Sequence, residues 1–379
     1  MGVHRLVVVA ATLAGTSACG GDGASNPFDT ANTGISATRG SASGDGTAES
    51  GVTGGPATQG GSVGEESDGG PKLDVQAGDV PGPCVGEGCN EGCTGVDLLF
   101  VIDNSVSMGD YQAALGLAFP AFASTLDTAL PAGTSLHVGV TSTEMGYSGS
   151  GSTSIFNGNC TFTGDGGQPN DAFYVTPDVA NSMRNGAQGR LYDPGGGQTY
   201  YEYTTGAGGA SLAGLESWFS AAANIGTGGS NIEMSAAPAG WVADMANDAT
   251  NAGFIRDEGS VLVVFFMQDE PDQTPLMIDG QPGGLAMLDK LVAAKAGCGG
   301  TDCIIAGGFL NEQACSAMGN LPLDDLLANV GEAPIVQALP DEALAETDPQ
   351  GAADEMNTVL SGTLATVIAQ TCEEIGPEG

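Results

Sequence analysis

An α/β fold, with a doubly wound, mostly parallel central sheet and helices on both faces, is predicted by three features of this 379-residue chain. Two apolar runs, VDLLFVI at 96–102 and VLVVFFM at 261–267, have strand length and no polar side. Strands buried on both faces read this way, whereas half-exposed strands alternate. Segments with helical apolar spacing separate the runs, and that succession gives parallel strands covered by helices.

The elements follow in order. After the strand at 96–102, Tyr111 to Leu130 has helix-spaced apolar residues and completes a first strand–helix unit. Leu136 to Thr141 alternates as a second strand, with His137 read as a strand residue packed at a sheet edge. Ser211 to Asn224 and Asn231 to Asp248 are predicted helices ahead of the strand at 261–267. Leu285 to Ala296 is a helix, Cys303 to Phe309 a strand, and Met356 to Cys372 the final helix. The long stretch 144–206 follows the second strand and is read as an insertion at the sheet's upper edge. It is rich in Gly, Ser and Asn, with Phe156, Phe162, Phe173, Tyr174, Tyr192, Tyr200, Tyr201 and Tyr203 interspersed. Aromatic anchors on adaptable polar backbone suit partner recognition, and they equally suit pinning a long loop to its own domain.

Eight Lys and Arg against 46 Asp and Glu give a net charge of -38, which repels phosphate backbones and anionic membranes and excludes nucleic-acid binding. Most of these acids serve to keep a secreted surface soluble. The chain has two histidines, and His4 falls in the leader. A Ser-His-Asp hydrolase, a Cys-His protease or a His-ligated zinc enzyme would therefore have to rely on His137 alone. There is no Gly-Lys-Ser/Thr phosphate loop and no strand followed by GxGxxG. Nothing in the sequence proposes a covalent nucleophile, and the chain is not expected to be an enzyme.

Residues 1–18 carry His4 and Arg5, an apolar run from Leu6 to about Leu13, and then small residues, the pattern of an export signal. Thr16-Ser17-Ala18-Cys19 resembles a bacterial lipoprotein lipobox, although Thr16 stands where leucine is usual. The resemblance implies acylation of Cys19 and attachment to the outer membrane or surface of a Gram-negative cell, the lipid being the only contact with the membrane. A plain signal peptide cut nearby is the alternative. Residues 19–83 are Gly, Ser, Thr, Ala and Asp with hardly an aromatic, too apolar-poor to fold, and read as a tether. As a flexible coil it would span roughly 40–50 Å. Residues 84–95 form a Cys-rich lead-in. Apart from Cys19 there are eight cysteines, Cys84, Cys89, Cys93, Cys160, Cys298, Cys303, Cys315 and Cys372, which in an exported protein favours disulfides over thiol chemistry. Their connectivity stays open, and Cys84, Cys89 and Cys93 could also form a zinc knuckle.

The strand at 96–102 ends in DNSVSM, placing Asp103, Ser105 and Ser107 just past its carboxyl end, where open α/β sheets bind ligands. The strand at 261–267 also ends in acids, Asp269, Glu270 and Asp272. Carboxylates sharing a crevice repel unless a cation lies between them, and a hard divalent ion accepts carboxylate and hydroxyl oxygens. Mg2+ or Ca2+ fits, and Mn2+ is compatible.

FVIDNSVSM resembles the opening of a von Willebrand factor type A domain, whose metal-ion-dependent adhesion site (MIDAS) uses D-x-S-x-S, a later loop hydroxyl and an aspartate after the fourth strand. Here the loop GTGGSNIEM resembles that family's Gly-rich loop with Ser230 in the threonine position, and Thr227 is the alternative hydroxyl. Asp269 matches the final aspartate, with Glu270 replacing the usual glycine. The resemblance extends over 96–372 and implies a type A domain at 96–375. It also implies an open metal position filled by a carboxylate of an unknown protein or glycan, in adhesion or assembly. A metal-free structural module of the envelope and, with less support, a metal-dependent hydrolase built on the acids at 269–272 are the alternatives. Because helices in such folds run opposite to the strands, Cys372 is expected to pair with Cys84, Cys89 or Cys93.

Overall fold

The computed structural model describes residues 92–145, 156–157, 161–162, 174–177, 185–229, 232–311 and 322–375. All belong to one compact unit. The leader, Cys19, the tether, most of the Cys-rich lead-in and Ser230 lie outside the described residues, as do Cys84, Cys89, Cys160 and Cys315.

Six strands form the central sheet: β1 (Gly95–Ile102), β2 (Ser135–Ser142), β3 (Tyr200–Thr204), β4 (Ser260–Gln268), β5 (Ile304–Leu310) and β6 (Ile335–Gln337). Their order is β6-β5-β4-β1-β2-β3, parallel throughout except for β3, which pairs antiparallel with β2. β1 and β4 lie at the centre, and both are buried along their whole length. Alternate side chains of β1 enter two separate cores. Leu98, Phe100 and Ile102 pack beneath helices α1 (Gly109–Ala129) and α2 (Gly209–Ala223), where the Phe119 and Phe219 rings stack. Leu99 and Val101 face α3 (Ala236–Val242), α4 (Gly283–Ala294) and α5 (Pro322–Leu327). A short α6 (Glu342–Thr347) leads into a long helical segment, α7 (Pro349–Val359), a π turn (Leu360–Leu364) and α8 (Ala365–Ile375), on the first face.

Three features depart from the expected pattern. His137 is not at an edge, because β3 covers β2 and becomes the edge strand itself. Residues 200–204 thus belong to the sheet, and Tyr203 is buried with Tyr192 and Tyr201 packed near it, while Tyr174 and Tyr200 pack against the opposite core. These aromatics pin their segment to the domain; Phe156, Phe162 and Phe173 have no described side chains. The helix expected over 231–248 is broken. Residues 232–235 are non-helical, and α3 begins only at Ala236, with Pro238 in its first turn, where a missing N–H is harmless.

The lower pole holds the charges. Arg256 binds Asp97, which is fully buried, through Nε and Nη2 at 2.7 and 2.5 Å, and Ser260 Oγ donates to the same carboxylate. Lys295 Nζ donates to Arg256 O and to Ser260 Oγ, and burial pushes its ammonium down to about 8. Cys93 and Cys372 form a disulfide at this pole, one of the three pairings expected for Cys372, and Cys298 pairs with Cys303.

Candidate metal centre

β1 and β4 are in register, Ile102 opposite Met267, so the residues following each emerge side by side at the upper edge. The Asp103 amide donates to Met267 O, extending the ladder one step, and Asn311 Nδ2 fixes the Asp269 carbonyl. A third acid joins them. Glu233 sits in the non-helical stretch before α3, its carbonyl accepting from Gln273 N, while the next amide, Met234 N, donates to Thr143 O beyond β2. Carboxylate oxygens of Asp103, Glu233 and Asp269 lie within 4.8 Å of one another.

These acids lack the donors that buried acids ordinarily have. Asp103 is 0% and Glu233 1% exposed. Asp103 Oδ1 accepts from Ser105 N at 2.7 Å, but no amide or cation satisfies Asp103 Oδ2, Asp269 Oδ1 or the Glu233 oxygens, and the Glu233 carboxyl instead lies against those of Asp103 and Glu270. Burial, and next the Asp269 charge, push the Asp103 carboxyl up to about 8. Burial and then Asp103 raise Glu233 well above the usual range, and partial burial and then Asp269 raise Glu270 at the rim. Tyr111 in α1 is raised by burial first and then by Glu342, Asp269, Asp341 and Asp110, so further acids surround this end of the helix.

No described cation answers this charge. Among the described residues the basic side chains are Arg190, Arg256, Lys290 and Lys295. They bind Gln188, Asp97, Asp244 and Ser260 respectively. A hard divalent ion fits the oxygen-only donor set, with Asp103, Glu233 and Asp269 as carboxylate ligands and hydroxyls beside them.

The hydroxyl residues assemble unevenly. Ser105 and Ser107 place their Oγ atoms 3.1 Å apart, but not on an extended turn: Ser105 is extended, Ser107 lies within a 3-10 turn (Val106–Met108), and Ser105 makes no side-chain cap to that turn. Thr227 packs near Gly109, at the start of α1, in the same loop as Gly229. That loop is fastened to the first. Gly229 N donates to Asn104 O, and a Cβ on Gly229 would stand 2.3 Å from Asn104 Oδ1, so a larger residue there would displace the Asn104 side chain. Gln112, buried in α1, donates to both Asp103 O and Gly226 O and accepts from Gly226 N.

Asp272 has a different task. Its Oδ1 accepts from Ser235 N, Thr274 N and Thr274 Oγ1, tying the start of α3 to the turn after β4, while burial pushes its carboxyl up to about 6. Asp272→Ala is expected to lower stability by about 1–2 kcal/mol in urea denaturation, as loss of a helix-start acceptor does, and to weaken calcium binding, because the freed segment 232–235 carries Glu233.

Glu233 and Gln112 escaped the sequence reading. Gln112 lay in a helix with nothing to mark it, whereas Glu233 stood in the loop GTGGSNIEM, an acid between Ile232 and Met234. An acid flanked by apolar residues in a Gly-rich loop was the available signal. His137 and Lys295 stand at the opposite pole: His137 is in register with Asp97, at the start of β1, roughly 20 Å along the strand from Asp103. Among the described residues no helix is long and apolar enough to cross a membrane.

No protein-family model matches the chain, and no curated protein matches it. Among solved structures, von Willebrand factor type A from Catenulispora acidiphila is similar at 12% identity with a TM-score of 0.32. The match covers 69% of this chain and 42% of the other, an overlap too low to assign a family.

Proposed function

We propose that this protein is an exported, lipid-anchored binding module that holds a divalent cation, Ca2+ or Mg2+, at the upper edge of its sheet and engages a partner in a cation-dependent manner. The observation that carries this reading is the convergence of Asp103, Glu233 and Asp269 with buried carboxylate oxygens that no amide or cation satisfies. Leaving such oxygens unpaired is costly, and a bound cation removes the cost. The D-x-S-x-S resemblance and the placement of Asp103 and Asp269 past the ends of adjacent parallel strands support a MIDAS-like centre. The metal-free alternative would have Ser105 cap a helix and Asp269 accept from loop amides; Ser105 makes no such cap and Asp269 Oδ1 is unpartnered. A hydrolase is disfavoured because His137 and Lys295 lie at the other pole.

Anchorage through Cys19 and the tether would present the domain outside the cell, and mass spectrometry of the mature N-terminus tests the lipid. For the centre itself, calorimetric titration of Ca2+ and Mg2+ into the domain from Gly82 onward should show saturable binding. A pull-down from envelope extracts with and without EDTA should then show partners retained only with the cation. Absence of saturable binding by the wild-type domain would remove the basis of this reading.

A further inference from the structure

We infer that Glu233 makes this a self-neutralised centre: the chain's own acids neutralise the ion, so a partner meets it through neutral oxygen donors and not through a carboxylate. The inference rests on the metal-binding reading above and specifies its ligand class. The motif Asp103, Ser105, Ser107 and a loop hydroxyl, with Asp269, contains two acids, which would balance a divalent ion. In the structure Glu233 adds a third within 4.8 Å of both, so three negative charges face two positive ones. Glu233 is 1% exposed, no amide or cation satisfies its oxygens, and its carboxyl faces those of Asp103 and Glu270, so it is turned into the acid cluster. Its position is fixed from both sides, by Gln273 N on its carbonyl and by the Met234 amide on Thr143 O, so it is held at the site.

The surroundings add to the same sign. Glu270 lies at the rim beside Asp269, and Asp110, Asp341 and Glu342 act on Tyr111 together with Asp269. A loaded centre with residual negative charge repels an incoming carboxylate, whereas hydroxyl and carbonyl oxygens can replace water on the ion without bringing charge.

The test uses the domain from Gly82 onward loaded with Mn2+ or Ca2+. Calcium affinity is measured by calorimetry, and the number of waters on the ion by water-proton relaxation with Mn2+, each with and without excess acetate. In the wild type, acetate is expected to change neither calcium affinity nor the water count. Glu233→Gln is expected to bind calcium at least about tenfold more weakly, and its affinity should then rise when acetate is added. Acetate strengthening calcium binding or displacing water in the wild type overturns the inference, as does a Glu233→Gln variant with unaltered calcium affinity. A wild type that binds no cation at all refutes the underlying metal-binding reading instead. Should Glu233→Gln fail to fold, the wild-type acetate response still decides the claim.

Discussion

Calcium or magnesium added to the purified domain at pH 8 is expected to raise its melting temperature by about 5–10 °C, and Asp103→Asn is expected to abolish the shift. An ion present at a hundred times its dissociation constant stabilises the folded state by about 2.7 kcal/mol. For a domain of this size each kcal/mol moves the midpoint by about 2–4 °C. The pH dependence follows from the acids. Asp103 is pushed up to about 8 by burial and by Asp269, and Glu233 is raised as well. A carboxyl raised in the fold keeps a proton that the unfolded chain releases near pH 4. Its contribution to the metal-free protein is therefore fully present below about pH 4 and is lost as pH rises through about 8. In EDTA the wild type should thus melt lower at pH 8 than at pH 6. The cation displaces those protons, so its stabilising effect should be small at pH 5 and largest at pH 8. Asp103→Asn keeps an oxygen for Ser105 N but removes one charge from the repelling cluster. In EDTA at pH 8 it should melt no lower than the wild type. Calorimetric melting with calcium or EDTA at pH 5, 6.5 and 8 checks all three points. Equal shifts at pH 5 and 8, or a shift surviving Asp103→Asn, would mean that the cation acts elsewhere.

What the sequence disclosed and what it concealed divide along physical lines. β1 and β4 were legible because strands covered on both faces are apolar through their middles, and few other elements of that length are. Their ends were legible for the same reason, since an acid inside such a run needs a buried cation, as Asp97 near the start of β1 has in Arg256, whereas the unpaired acids after 102 and 268 mark the ends. Asp103 and Asp269 therefore located the upper edge before any coordinates. β3 was hidden because an antiparallel edge strand needs little apolar character: YYEYT is half exposed, and its pairing with β2 is a long-range event. Glu233 was hidden because the residues around it, Ile232, Met234 and Ala236, read as the start of an apolar helix. What keeps 232–235 out of the helix is tertiary: Ser235 and Thr274 are both tied to Asp272, a partner supplied from beyond β4. The carboxylate that most alters the chemistry of the centre thus came from a segment whose conformation is set by a distant loop.

Replacing Cys93 and Cys372 together by alanine is expected to lower unfolding stability by about 5–6 kcal/mol in the chain-entropy account of a loop this long. The bond joins the lead-in of β1 to the last helix, across 279 residues, and the Cys93 amide donates to Cys372 O at 2.7 Å beside it. Both cysteines are buried, at 3% and 1% exposure, so the link is shielded from solvent reductants in the folded state. In the chain-entropy account the stabilisation grows with the logarithm of the loop closed. The bond between Cys298 and Cys303, separated by five residues, should then contribute roughly 3–4 kcal/mol less than the long one. Its alanine double variant should lose only about 2 kcal/mol in urea denaturation. Equal losses for the two pairs would show that local packing around each bond, and not closure of the long loop, sets the effect. The two poles should also respond independently. Cys93 precedes Asp103 by ten residues, nearly all in the fully extended β1, which separates bond and acid cluster by roughly 30 Å. Sites that far apart without shared partners behave additively, so the variant lacking the long bond should bind calcium with wild-type affinity wherever it remains folded. A loss of calcium affinity at temperatures well below its melting point would instead show that β1 carries strain from one pole to the other.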